Sequence, residues 1–355
     1  MKFIHIADIH LGATPDSNMP WSSDREKELW RSFEHIIDRC NEEKVDLLLI
    51  AGDLFHRQPL LRELKEVNYL FTKLEYSKVI LMAGNHDFIG ARSFYRDFEW
   101  NDKVHMFLSD CIENVVLADN HTQIYGLSYC TRDITAALYD VVNSEENNYY
   151  NILLAHGGDE RNIPINRRKL KDSGFDYIAL GHIHKPEMIN GRMAYSGSLE
   201  PLDKNEIGEH GYILGEISRD AEGNHVTSVA FIPSSLRQYK RVVLTVNKDT
   251  TNGSLIDQAK EFIRSNGVAH IYSFTIRGIR EENLHFDLEA LKQLGCVLEV
   301  EDRSVPDYDF DALYRENEDN MIGMFIQRIR ENAKQDDIAM KALYYGIEAL
   351  LGAKN

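Results

Sequence analysis

Five short polar clusters between Asp8 and His184 carry the kinds of side chain that hold divalent cations. Each cluster directly follows a run of apolar residues. Mixed shells of carboxylates, an amide and imidazoles suit manganese, iron or zinc better than magnesium or calcium, which prefer oxygen ligands alone. The clusters are Asp8-Ile9-His10, Gly52-Asp53-Leu54-Phe55-His56, Gly84-Asn85-His86-Asp87, His156-Gly157-Gly158 and Gly181-His182-Ile183-His184.

The spacing inside the clusters suggests how the ligands could converge. Asp8 and His10 are two residues apart, so in an extended chain both would point to the same face, as would His182 and His184. Asp53 could bridge two cations because a carboxylate has two oxygens. A glycine precedes Asp53, Asn85 and His182. Each of these glycines permits a tight turn and a close approach of the backbone.

Each cluster by itself has an ordinary structural explanation. An Asp-x-His triplet occurs by chance, and Gly-Asp after a strand is often only a turn. Gly-Asn-His-Asp and His-x-His are rarer. The joint occurrence of all five, each at the end of an apolar run, is therefore the observation that favours a two-cation site.

The apolar runs before the clusters have the length and continuous apolarity of strands in a sheet that is covered on both faces. Helical patterns separate them, and strand-helix alternation predicts an α/β layered core. In such sheets ligands bind outside the carboxyl ends of the strands, where all five clusters would meet. The runs span residues 3–7, 45–51, 79–83, 152–155 and 177–180.

Two helices are predicted in the first third of the chain, and strands alone between Tyr195 and Pro233. Ser23-Asp24-Arg25-Glu26 predicts a capping box that opens a helix through about Asn41. Pro59 is expected in the first turn of the next helix. The strand patterns at 211–217 and 226–232 predict a second, antiparallel sheet packed against the first.

The pattern changes near Pro233-Ser234-Ser235 and predicts three domains. Residues 1–235 carry the polar clusters. Residues 236–305 alternate strands and helices as a small α+β unit. Residues 306–355 form a C-terminal segment that begins acidic and irregular and then continues as two helices, 320–333 and 336–351.

Composition narrows the function. Hydrophobic residues make up 43% and charged residues 27%, which is typical of a globular protein. The formal charge of −17 argues against a protein that coats nucleic acid, but two cations would give a nuclease site its own positive field. The absence of a signal sequence, of a long apolar stretch and of paired cysteines predicts a cytoplasmic protein that does not enter a membrane.

The five clusters together resemble the signature of the calcineurin-like metallophosphoesterases: Asp-x-His, Gly-Asp, Gly-Asn-His-(Asp or Glu), a later His, and Gly-His-x-His. The resemblance covers residues 1–235. Within this superfamily the chain is most similar to the SbcD exonucleases and their archaeal and eukaryotic relatives in double-strand-break repair. Three segments carry that narrower likeness: residues 3–12, 51–56 and 195–198.

The resemblance implies a role for each cluster residue. One cation, most simply Mn2+, would be held by Asp8, His10, Asp53 and His184, and a second by Asp53, Asn85, His156 and His182. His86 would be the catalytic histidine, Asp87 would orient it, and His56 would lie near the phosphate. His56 could equally be a residue that only opens the following helix.

The resemblance also implies partners. These are DNA, an SbcC-like ABC-type ATPase docked on the two C-terminal helices, and a second copy of the chain bound through the helix after Pro59. The terminal helices could instead pack on their own chain. No ATP-binding Gly-x-x-x-x-Gly-Lys loop is present.

Other interpretations stay open. The chain could be a phosphodiesterase for small molecules, or a non-catalytic scaffold. The basic segments 167–171 and 237–241 could contact phosphates or be solvated surfaces. His5 is expected in the core, on the face opposite Asp8 and His10.

Overall fold

The computed structural model describes residues 1–145, 147–332 and 337–352. The chain divides into two compact units, Met1–Tyr239 and Lys240–Asn355. The boundary lies four residues after the expected one at residue 235, and the division into three domains stays a prediction. Among the described residues, no helix combines the length and the apolarity needed to cross a bilayer.

The first unit contains twelve strands and three α-helices within its described residues. The strands are β1 (Lys2–Ile6), β2 (Leu47–Ala51), β3 (Lys78–Met82), β4 (Val104–Met106), β5 (Glu113–Leu117), β6 (Thr122–Gly126), β7 (Tyr150–His156), β8 (Tyr177–Gly181), β9 (Glu187–Asn190), β10 (Met193–Tyr195), β11 (Gly211–Arg219) and β12 (His225–Pro233). The helices are α1 (Ser22–Glu43), α2 (Leu61–Thr72) and α3 (Arg167–Lys171).

Two six-stranded sheets form the core of this unit. The first has the order β12-β11-β1-β2-β3-β4 and the second the order β5-β6-β7-β8-β10-β9. Strands β1 to β4 are parallel, with Phe3 opposite Leu47 and Leu47 opposite Lys78. Strands β6, β7, β8 and β10 are also parallel. The predicted two-sheet α/β core is confirmed.

The composition of the second sheet differs from the prediction. Strands β11 and β12 extend the first sheet, where β11 pairs antiparallel with β1. The second sheet is built from the chain between β4 and β11 and is mixed rather than antiparallel. Short, partly exposed edge strands such as Glu113–Leu117 and Glu187–Asn190 lack the continuous apolar pattern on which the prediction relied.

Three apolar layers hold the sheets in place. Phe3, Leu49 and Ile152 belong to the layer that contains residues of both sheets. The outer face of the first sheet is covered by α1 and α2, through residues such as Phe33 and Phe71. Large buried residues on the far side of the second sheet form the third layer. Fully apolar β2, with all five residues buried, is covered on both faces as its sequence predicts.

Both predicted helix starts were slightly wrong. Helix α1 begins at Ser22, and Trp21, whose side chain makes no capping bond, precedes it, so the expected capping box does not form. The Ser22 hydroxyl instead donates to the Pro15 carbonyl at 3.0 Å. Pro59 lies outside α2, whose first turn is capped by the Glu63 carboxylate accepting from the Leu60 N–H at 2.7 Å.

The second unit contains a small four-stranded sheet with helices. Its elements are β13 (Tyr239–Val246), α4 (Asn252–Asn266), β14 (Ile271–Arg280), α5 (Leu288–Lys292), β15 (Val297–Asp302), β16 (Val305–Pro306), α6 (Phe310–Glu316), α7 (Met321–Asn332) and α8 (Asp337–Gly352). The predicted α+β pattern is present. The prediction missed α6. Residues 333 and 336, the facing ends of the two predicted terminal helices, lie outside the described part of the chain.

Candidate metal centre

The polar clusters lie where the central strands end. Asp8, His10, Asp53 and His182 have φ angles of 53°, 52°, 51° and 92°, in the left-handed region. The backbone N–H of Asp8 donates to the Gly52 carbonyl at 3.1 Å, which ties the first two clusters together. The expected extended geometry of Asp8 and His10 was therefore wrong, because strand β1 ends at Ile6 and left-handed turns direct these side chains.

One group of ligand atoms is formed by Asp8, His10 and His184, which lie within 4.8 Å of one another. The Nε2 atoms of His10 and His184 are 3.1 Å apart. The Asp53 Oδ2 atom lies 3.7 Å from His10 Nε2. The structure thus brings together the four side chains proposed for the first ion.

A second group surrounds the amide oxygen of Asn85. His156 Nε2 lies 3.0 Å and His182 Nδ1 lies 3.1 Å from Asn85 Oδ1. Asp53 Oδ2 is 3.5 Å from His156 Nε2, so the same oxygen approaches both groups. This is the position that a bridging carboxylate requires.

The donor set fits two divalent cations. The exposed fractions of Asp8 and Asp53 are 0% and 1%. A carboxylate that is buried in this way needs a positive partner. Burial raises the pKa of Asp8. Burial also disfavours a charged His156, yet Asp53 outweighs it and raises the pKa of His156 to about 9. The raised pKa favours a protonated His156 as the positive partner in the absence of ions, and ions bound to these donors would take over that role.

Two glycines allow the ligands to come this close. A Cβ atom at Gly84 would overlap the Asp53 carboxylate, and one at Gly52 would overlap the His156 ring. Gly52 also has a φ of 89°, which favours glycine. The predicted close approach of the backbone at these turns is therefore present.

His86 and His56 lie together beside the first group of ligands. Their rings stack with centroids 5.1 Å apart, and the nitrogens of His10, His56 and His86 lie within 4.8 Å of one another. His86 Nδ1 is 3.1 Å from the His56 carbonyl oxygen, so Nδ1–H donates there and Nε2 is the free nitrogen. His56 therefore lies at the site, five residues before α2 begins.

The predicted role of Asp87 requires a correction. Its carboxylate accepts from the Gly84 N–H at 2.8 Å, the Phe55 N–H at 3.2 Å and the Tyr95 hydroxyl at 2.9 Å. The His86 ring is held by the His56 carbonyl instead. Burial, then repulsion from Asp53, raises the pKa of Asp87 to about 7. Asp87 fastens two of the ligand loops to each other and does not orient the His86 ring by contact.

Sequence reasoning missed two carboxylates at the site. Asp159 Oδ2 lies 2.7 Å from His182 Nε2, and Glu206 Oε1 lies 2.7 Å from His184 Nδ1. Asp159 follows His156 by three residues, a weak signal, whereas Glu206 lies in a loop without any motif. Only the folded chain shows that these residues contact two of the histidines predicted to be ligands.

The remaining polar predictions concern surfaces and the core. Arg167 forms two bonds to Glu187, at 2.7 and 2.8 Å, and Arg237 Nε donates to Glu28 at 2.8 Å, so both basic segments are partly neutralised. His5 is fully buried as expected, with Nδ1 2.9 Å from the Tyr177 hydroxyl.

The two-sheet fold, together with two groups of potential metal ligands that share Asp53, defines a metallophosphoesterase. The family model for the calcineurin-like phosphoesterase matches residues 1–186, and the chain belongs to this family. It is thereby a metal-dependent enzyme of the phosphoesterase class.

Several relatives are similar over most of the chain. The chain is 32% identical over 276 residues to the DNA double-strand break repair protein Mre11 of Methanocaldococcus jannaschii, covering 70% of this chain and 73% of that protein. It is 26% identical to the SbcD component of the nuclease SbcCD of Staphylococcus epidermidis, over 66% of this chain and 69% of that protein. It is 30% identical to the uncharacterized metallophosphoesterase YhaO of Bacillus subtilis, over 63% of this chain and only 60% of that protein.

Proposed function

We propose that the chain is a two-metal phosphodiesterase of the manganese type that cleaves DNA, as the exonuclease and endonuclease subunit of an SbcCD-like repair complex. The observation that carries the proposal is the convergence of seven potential ligands in two neighbouring groups that Asp53 joins. The similarity to the Mre11 protein covers 70% of the chain. The family model matches residues 1–186, which is a smaller share of the chain. The similarity therefore continues beyond the residues that the family model matches, and it supports a nuclease.

The proposed ligands divide into two sets that share Asp53. Asp8, His10 and His184 complete one set, and Asn85, His156 and His182 complete the other. When bound, two divalent ions supply an activated water and neutralise the charge of the phosphodiester. A shell that mixes imidazole, carboxylate and amide donors suits manganese, iron or zinc, and manganese is the metal of this proposal.

The chain's own residues would bind and protonate the substrate. His86 keeps its Nδ1–H on the His56 carbonyl and presents Nε2, which in the protonated ring can donate to a phosphate oxygen or to the leaving oxygen. The exposed His56 ring stacks on it and would limit its rotation.

The partners belong to the same proposal. Helices α7 and α8 expose Met321, Met324 and Tyr345 to 70%, 67% and 70%, which supports a partner such as the ATPase. Helix α2 exposes Leu61 and Tyr69 to 41% and 58%, which supports a homodimer that sedimentation at micromolar concentration would test. A cytoplasmic location follows from the proposed role in DNA repair.

One experiment separates DNA cleavage from small-molecule hydrolysis. The metal-loaded chain, with and without its ATPase, is incubated with end-labelled DNA and separately with bis-p-nitrophenyl phosphate. We expect Mn2+-dependent cleavage of both, abolished by Asp53→Asn and retained by His35→Ala, which changes an exposed histidine outside the site. Hydrolysis of the small ester without DNA cleavage would reject the nuclease in favour of a small-molecule phosphodiesterase, and no hydrolysis of either would reject both.

A further inference from the structure

The two histidines of the Gly181-His182-Ile183-His184 cluster direct different ring nitrogens into the site. His182 directs Nδ1 toward Asn85 Oδ1, at 3.1 Å. His184 directs Nε2 toward His10 Nε2, at 3.1 Å. A neutral imidazole binds a metal only through the nitrogen that lacks a proton, so these neighbours need opposite tautomers.

In each ring, the nitrogen that points away from the site contacts a carboxylate. His182 Nε2 lies 2.7 Å from Asp159 Oδ2, and His184 Nδ1 lies 2.7 Å from Glu206 Oε1. An ionised carboxylate only accepts hydrogen bonds, so each of these nitrogens must carry the proton. The lone pairs are thereby left on His182 Nδ1 and His184 Nε2, the two atoms that face the other ligands.

Each carboxylate is itself fixed by backbone N–H groups. Asp159 Oδ1 accepts from the N–H groups of Arg161 and Asn162 at 2.7 and 2.8 Å. Glu206 Oε2 accepts from the Leu202 N–H at 2.8 Å. One oxygen of each carboxylate is thus held by the main chain, which aims the other oxygen at its histidine.

A purely structural role explains the Asp159 contact less well. The Asp159 side chain is 48% exposed, and ion pairs at such positions contribute about 0–1 kcal/mol to folding. A histidine tautomer, in contrast, decides whether a ligand nitrogen is available at all.

We propose that Asp159 and Glu206 are positioning residues, each selecting the tautomer and ring orientation of one ligand histidine, and each for a different ion. Asp159 acts through His182 on the ion proposed for Asp53, Asn85 and His156. Glu206 acts through His184 on the other. This inference rests on the proposed two-ion site.

Amide substitutions test the inference sharply. In Asp159→Asn the side-chain oxygen can still accept from the two backbone N–H groups, but the NH2 group then faces His182 Nε2 and favours the tautomer with a proton on Nδ1. Glu206→Gln places the same conflict between His184 Nδ1 and the Leu202 N–H. The matched controls are Glu160→Gln and Glu209→Gln, which change exposed neighbouring glutamates.

The measurement is Mn2+ binding to the metal-depleted full chain, by calorimetry and by the electron paramagnetic resonance signal of free Mn2+. We expect two ions in the wild type, about 10–100-fold weaker binding of one ion in each single variant, weakening of both ions in the double variant, and no change in the controls. The thermal unfolding midpoint of the metal-free variants should match that of the wild type. A general structural defect would lower that midpoint and weaken both ions together.

The outcomes separate the inference from the function on which it rests. A wild type that binds two ions, with amide variants that bind both as tightly, would overturn the positioning role and leave the proposed function intact. Equal weakening of both ions by either single variant would overturn the assignment of one carboxylate to each ion. A wild type that does not bind two ions would overturn the proposed two-metal function itself.

Discussion

His86 is the site residue whose chemistry can be separated from metal binding. Its ring is held through Nδ1 on the His56 carbonyl, and its backbone N–H donates to Asp53 Oδ1 at 2.8 Å. In His86→Ala the backbone contact stays and only the imidazole is lost. We expect kcat for bis-p-nitrophenyl phosphate to fall by about 10²–10⁴-fold, the usual contribution of a positioned acid or base, with two Mn2+ ions still bound.

The comparison for this variant is Asp53→Asn, which weakens the proposed bridging ligand and should lose both ion binding and turnover. His35→Ala should retain both. If His86→Ala abolished Mn2+ uptake, as measured by calorimetry, His86 would be a ligand and the proposed division of roles would be wrong.

The burial of His5 makes the stability of the metal-free chain depend on pH. Burial lowers the pKa of His5 to about 3 from its ordinary value of 6.5. Between these two pH values His5 binds a proton in the unfolded chain but stays neutral in the folded chain. The stability contributed by neutral His5 is therefore complete above pH 6.5 and is lost as the pH falls toward 3, by about 1.4 kcal/mol per pH unit.

A variant that cannot titrate isolates this effect. His5→Asn can keep the hydrogen bond to the Tyr177 hydroxyl, which lies 2.9 Å from His5 Nδ1. Urea unfolding between pH 7 and pH 5 should give a shallower loss of stability in the variant. Parallel pH profiles for the two proteins would show that the buried imidazole takes no part.

At the scale of residues, the sequence identified the candidate site residues better than it identified their contacts. Asp53 and Asn85 could be named because they belong to compact motifs at strand ends. The partner of Asp87 could not be predicted, because Tyr95 and the Phe55 N–H reach it only after the ligand loops have folded. Glu206 was missed for the same reason.

At the scale of elements, the ends of the strands lie so close to the proposed ligands that no side-chain atom can be added there. Gly181 is the last residue of β8, and a Cβ atom there would overlap the Ala51 carbonyl oxygen and lie 2.9 Å from His156 Nδ1. The obstacle is backbone and cannot rotate away. We expect Gly181→Ala to destabilise the chain by about 1–3 kcal/mol, the usual cost of overpacking, and to weaken Mn2+ binding.

Gly191→Ala is the matched control, because a Cβ atom there meets no described atom within 4 Å. Thermal unfolding and Mn2+ titration of the two variants provide the measurement. Equal behaviour of Gly181→Ala and Gly191→Ala would mean that β8 and β2 can separate without cost to the site.

Element prediction succeeded where burial was complete and failed at the edges. Strand β2 was visible as a continuous apolar run because both of its faces are covered. Strand β5 alternates between exposed and half-buried residues and gives no such run. Strand β11 was found, but its partner β1 lies about two hundred residues away in sequence, so local patterns could not assign it to the first sheet.

The acidic charge of the whole molecule predicts that bound cations stabilise its fold. The formal charge is −17, and the unit Met1–Tyr239 buries the carboxylates Asp8, Asp53 and Asp87 near one another. Ions that bind the folded site but not the unfolded chain stabilise it by mass action, by about 2.7 kcal/mol at a concentration one hundred times Kd. We expect Mn2+ to raise the thermal unfolding midpoint, with a chelator reversing the change.

The division into two units provides an internal control for that expectation. All proposed ligands belong to Met1–Tyr239 and none to Lys240–Asn355. In hydrogen exchange measured by mass spectrometry, Mn2+ should therefore slow exchange in peptides at the ends of β1, β2, β7 and β8, with little change in peptides of the sheet that contains β13 to β15. Asp53→Asn should lose most of this protection. Equal protection in both units, or in the variant, would indicate diffuse binding of Mn2+ to an acidic surface instead of occupation of the site.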